Sequence, residues 1–200
     1  MSTYALVTRA SAAEVTEAVR VGKIGGYVVD DPLGTIVLFD SPGRTYSSTD
    51  RLARPARAVV ARTMRTAVLL LCDEFVAEAL VLSGAGELAL QWSAGWEPPA
   101  DPARYLADRQ EWDAYCAEVA TLYERPDRAA ALAMVRNDPV PGEDRTALPD
   151  LLRRVCALLD LPDNAVGRSL LDGGDPGLYD ARRVEAEPPA GRWQRWLART

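Results

Sequence analysis

Whatever chemistry this sequence offers must come from carboxylates, arginines and aromatic rings. Asp30 and Asp31, Asp40, and Asp73 with Glu74 all fall where strands are predicted to end. Strand ends of one sheet can converge in space, and oxygen ligands alone suffice for Mg²⁺. Asp73 and Glu74 are therefore the candidate metal or acid–base pair. The competing explanation is that aspartate is common in turns because its side chain bonds its own backbone. That explanation weighs more, so no metal or cofactor is expected.

Histidine is absent. This removes Ser-His-Asp and Cys-His nucleophiles, an imidazole general base, and zinc sites of the mixed Cys/His type. Cys72, Cys116 and Cys156 are far apart, form no C-x-x-C pair, and each sits in an apolar pattern. They read as small core residues in a reducing compartment. Gly22, Gly25 and Gly26 follow a helix instead of opening one, and no G-x-x-x-x-G-K-[ST] loop is present. The loop from Asp172 to Gly177 lacks the alternating oxygen ligands and closing glutamate of a calcium loop.

The aromatic residues can serve packing or binding. Trp92 lies on the inward face of an alternating strand, and Trp96 follows in the loop Trp96-Glu97-Pro98-Pro99. A large ring there either folds over the core edge or meets a partner. Near the C-terminus Trp193, Trp196 and Leu197 alternate with Arg192, Arg195 and Arg199, a short basic and aromatic helix on an acidic chain. That helix is expected to dock on the protein's own body first, on a protein partner second, and on nucleic acid or anionic lipid least. Trp96, Trp193, Arg195 and Trp196 are the candidate partner-binding residues. The polar loop from Arg44 to Asp50 could form a binding lip, though its composition fits an ordinary surface loop better.

The elements that must position these residues are arranged around Thr66 to Gly95. Ala67–Cys72 is an unbroken apolar run, Val76–Leu82 is nearly one, and Glu87–Ser93 alternates strictly. The first two are buried strands and the third a half-buried one. The short turns at Asp73-Glu74 and Gly84-Ala85-Gly86 make them an antiparallel meander. Upstream, Tyr4–Thr8 predicts a strand, and Ser11 with Glu14 a capping box opening a helix. Tyr27–Val29 and Thr35–Phe39 predict a hairpin, and Leu52, Ala56, Val59, Val60 and Met64 a second helix with Pro55 in its first turn. The order is a ferredoxin-like βαββαβ start followed by the meander. The expected fold is α+β: an antiparallel sheet of five to six strands with helices on one face, followed by a small helical C-terminal half.

The break at Trp96 to Arg104 divides residues 1–97 from a helical part, 98–200. Trp112, Tyr115, Cys116, Val119, Leu122 and Tyr123 trace one helix face. A shorter helix is predicted over Asp127 to Val135. A third, capped by Thr146, carries Leu148, Leu151, Leu152, Val155, Cys156, Leu158 and Leu159. Helices this short are marginal alone, so the second half is expected to dock on the sheet or on itself as one compact unit.

The chain has 200 residues, 48% of them hydrophobic, enough to bury a real core. With 23 basic against 29 acidic residues its formal charge is −6. That balance argues against a phosphate backbone as partner and favours a basic protein. No segment reaches the ~20 apolar residues of a membrane span and no leader is evident, so a cytoplasmic location is expected. The first functional reading is a non-catalytic interaction protein of the immunity or antitoxin kind, neutralising a basic partner. The alternative is a small-ligand-binding module or histidine-free enzyme with a carboxylate or Mg²⁺ site between sheet and helical half. Self-association through the C-terminal helix or a sheet edge is a third reading. The general layout is shared by many bacterial proteins of unrelated function.

Overall fold

The structure is a computed structural model, and it describes residues 2–40, 49–138, 144–171 and 181–185. Its centre is a seven-stranded antiparallel sheet. In chain order the elements are β1 (Thr3–Thr8), α1 (Ala12–Val21), β2 (Gly26–Asp31), β3 (Gly34–Phe39), α2 (Thr49–Thr63), β4 (Ala67–Cys72), β5 (Val76–Ser83) and β6 (Gly86–Ser93). There follow α3 (Pro102–Leu122), a 3₁₀ turn (Pro126–Arg128), α4 (Ala129–Ala133), α5 (Leu148–Leu158) and β7 (Arg182–Val184). The strands lie in the order β6-β5-β4-β1-β3-β2-β7.

The expected α+β architecture is what forms. The order β4-β1-β3-β2 is the split βαβ arrangement of the ferredoxin-like start: β3 pairs antiparallel with both β1 and β2, which leaves those two parallel. The meander extends the sheet from β4 through β5 to β6. Asp73 makes the first of its turns, its Oδ1 accepting from the amides of Phe75 at 2.7 Å and Val76 at 2.8 Å.

Both faces of the sheet are covered, which is why its central strands read as continuous apolar runs. Tyr4, Leu6, Val37, Phe39 and Leu69 face α1 and α2, where Val15, Val19, Ala53, Ala56 and Val59 are buried. Ala5, Val7, Ile36, Leu70 and Leu90 face the other way, onto the helical second half, with Cys116, Val119, Leu151, Leu152 and Val155. The helices α3 and α5 thus supply the second helical layer. Among the described residues no helix is long and apolar enough to cross a membrane.

Several local expectations hold and others shift. The capping box forms: the Ser11 side chain accepts from the Glu14 amide, and the Glu14 carboxylate accepts from the Ser11 amide at 2.9 Å. Pro55 sits inside α2 and not in its first turn, because burial of Ala53 and Ala56 on either side carries the helix through it. The cap of α5 is Ala147, without a side-chain bond, and not Thr146; Pro149 in the first turn starts that helix. Four non-glycine residues just past helix ends, Lys23, Met64, Glu124 and Asp160, have φ of 56°, 53°, 62° and 53°.

The seventh strand, β7, was not expected. It pairs with β2, placing Val184 opposite Gly26. Arg183 fastens it, donating to Asp40 Oδ1 at 2.5 Å and Oδ2 at 2.8 Å while its guanidinium lies 5.0 Å from the centre of the Tyr27 ring.

Gly34 permits the β2–β3 turn to press against β1. Its φ is +146°, and a Cβ there would stand 2.3 Å from the Thr8 carbonyl oxygen. Gly34→Ala is expected to destabilise the fold by about 2 kcal/mol, from backbone strain plus the clash. Urea denaturation would show this as a lower midpoint with an unchanged slope.

Candidate functional site

The site grows out of β6, the edge strand at the far side from β7. Leu88, Leu90 and Trp92 turn toward the helical second half, and Arg57 of α2 grips the other face through two 2.8 Å bonds to Glu87. The exposed edge is capped at two points. The Tyr115 hydroxyl accepts from the Ala89 amide at 3.0 Å and donates to the Ala89 carbonyl at 3.1 Å. Asn137 Nδ2 donates to the Ser93 carbonyl at 2.9 Å. By the alternation of an antiparallel ladder, Gln91 between them also turns its N–H and C=O outward.

Alongside Gln91 a cavity of about 190 Å³ opens between β6, the first half of α3 and residues 136–138. Trp92, Trp96, Tyr105, Arg109, Trp112 and Asn137 form its walls. The two inner tryptophans meet edge to face, with ring centres 6.1 Å apart and planes at 69°. The indole N–H groups are anchored to the end of α4 and the chain just after it: Trp112 donates to the Ala133 carbonyl at 3.1 Å and Trp92 to that of Val135 at 3.0 Å. These bonds suit rings that are buried at one end and polar at the other.

The polar wall is equally fixed. Arg109 donates to Asp138 at 3.1 Å and to the Tyr105 hydroxyl at 2.9 Å, one helical turn away. Arg136 donates to Asp113 at 2.6 Å. Arg145 holds the loop that carries Trp96, donating to the carbonyls of Ala94 at 2.9 Å and Trp96 at 2.8 Å and pairing with Glu97. Trp96 stands at the mouth, 36% exposed.

No known protein family, curated protein or solved structure matches the chain. The geometry alone therefore decides what the site suits. Its groups are aromatic faces, a guanidinium paired with a carboxylate, and a carboxamide, which can stack, pair charge and hydrogen-bond.

Of the residues singled out from sequence, Trp96 lies in this cavity. Asp73 and Glu74 border a shallower groove next to it, shared with Asn137 and Arg145. Both are exposed, and Asp73 is engaged by its own turn. Among the described residues no group of three or more Cys, Asp or Glu side chains is placed to hold a metal ion. Trp193, Arg195 and Trp196 lie outside the described residues, as do residues 172–177 and most of the loop from Arg44 to Asp50, residues 44–48. The three cysteines are buried, as their apolar settings predicted, and burial pushes the Cys116 and Cys156 thiols up to about 12.

Trp112, Tyr105, Arg109 and Asn137 were not foreseen as site residues. Trp112 read as part of a core stripe. Tyr105 and Arg109 carry a usable signal, an aromatic and a cation four apart on one helix face. Asn137 has none, since its segment is irregular.

Proposed function

We propose that this chain is a non-catalytic, cytoplasmic interaction protein, of the immunity or antitoxin kind, that binds a basic protein partner through the Trp96 cavity. The observation that carries the reading is the cavity itself. Pockets for drug-sized ligands and cofactors run from about 300 to 1,000 Å³. At about 190 Å³, this one suits a single side chain of a larger partner. Rigid aromatic walls and an arginine are the groups that dominate binding energy at protein interfaces. The outward N–H and C=O of Gln91 would pair with one residue of an extended partner segment, whose neighbour enters the cavity. The net charge of −6 would steer a basic partner toward it.

A second reading, a small-ligand site, draws on Asn137. Its Oδ1 is buried without a hydrogen-bond partner among the described residues, between the cavity and the groove of Asp73 and Glu74.

The test is retention of proteins from the source cells on the wild-type chain and on Trp96→Ala, at low and high salt. The wild type should retain one basic protein at one-to-one stoichiometry, less at high salt. Trp96→Ala should weaken that complex by ~30-fold, about 2 kcal/mol. A partner held equally by both chains would overturn the site. Nothing retained, together with a thermal shift from a small molecule, would favour the second reading.

A further inference from the structure

A second concavity borders the other end of α3. It measures about 650 Å³ and lies between the end of that helix, the β5–β6 turn and the residues after α2. Met64, Leu88, Ala117 and Leu122 supply apolar surface, and Met64 is 77% exposed. The charged residues lining it are Glu118 and Glu124, both exposed. Among the described residues no arginine lines it. Arg125, next in sequence to Glu124, is paired with Asp127 and Asp160.

The lining combines these apolar residues with neutral Thr66, Ser83 and Thr121, and its two charged members are both glutamates, so apolar side chains and cations would complement it. A methionine in such a lining adapts its shape to what is placed on it. We propose that this groove docks an amphipathic, cationic helix of a protein partner. Leu-like side chains one turn apart would sit on Met64, Leu88 and Leu122, and flanking Lys or Arg would reach Glu118 and Glu124. The surface shares no lining residue with the Trp96 cavity, and Leu122 lies 10 residues beyond Trp112 along α3, about 15 Å of helix axis. The inference therefore stands whether or not the cavity binds.

The probe is a fluorescein-labelled 15-residue amphipathic helix of Leu and Lys, titrated by anisotropy at low salt, with a Leu/Glu helix of the same pattern as reference. The wild-type chain should bind the first and not the second. Glu118→Arg with Glu124→Arg, and separately Met64→Glu, should weaken binding at least tenfold. Asp30→Arg with Asp163→Arg makes the same change in net charge at exposed positions away from the groove, and should leave affinity within about threefold. Hydrogen exchange should slow at residues 83–88 and 117–124. Circular dichroism would check that each variant is folded. Equal weakening by both charge-reversal pairs would show a global charge effect and overturn the proposal, as would tight binding of the Leu/Glu helix. Loss of probe binding in Trp96→Ala would place the helix at the cavity and overturn it too.

Discussion

Trp92→Ala is expected to remove about 3–5 kcal/mol of folding stability, the usual effect of deleting a fully packed tryptophan. Trp92 is 5% exposed, touches Trp112 edge to face, and holds the Val135 carbonyl. Its removal opens a void between the sheet and α3 and leaves a buried carbonyl without its donor, so the two penalties add. Trp92→Phe keeps the ring but not the N–H and should lose roughly half as much. Urea denaturation followed by circular dichroism would check both. A double-mutant cycle with Trp112→Ala should give a coupling of about 0.5–1.5 kcal/mol for the ring pair. A Trp92→Ala chain with an unchanged midpoint would mean that the cavity wall is not part of the core.

The second large effect is alkaline. Cys116 and Cys156 are pushed up to about 12 by burial, and burial also pushes Tyr123 to about 12. In the unfolded chain the thiols ionise near 9 and the phenol near 10. Between those values and about 12 the folded state holds protons that the unfolded state has released. Stability is therefore full below pH 9 and falls as pH rises through the window. Each group contributes a slope of about 1.4 kcal/mol per pH unit once its unfolded form is ionised. Denaturation midpoints at pH 8, 9.5 and 11 should decline with increasing steepness. Cys116→Ala with Cys156→Ala should flatten that decline while lowering the midpoint at pH 8.

Six strands and the helical layers were legible because their signals are local. Val68, Leu69 and Leu70 are buried on both faces of β4, so the run has no polar interruption. Ser11 and Glu14 announce α1 by side-chain chemistry alone. Helix ends were harder to read, since Lys23, Met64, Glu124 and Asp160 adopt at helix ends a conformation that usually signals glycine. The seventh strand had no local signal at all. Arg182 and Arg183 are exposed, and what makes them a strand is Asp40 and Tyr27, more than 140 residues away. The site divides in the same way. Trp96 stood out as a ring in a proline-rich loop, whereas Asn137 acquires its place only when β6 and the chain after α4 meet.

The Tyr115 and Asn137 caps bear on how the chain behaves in concentrated solution. A sheet edge with free amides and carbonyls can recruit strand after strand, and fibres grow from such templates. Here a phenol occupies the amide and carbonyl of Ala89, and a carboxamide the carbonyl of Ser93. Another copy of β6 laid along this edge would have to displace both before it could zip, while among the described residues the opposite margin ends in a three-residue strand. One hydroxyl and one amide thus act as chain terminators at this edge.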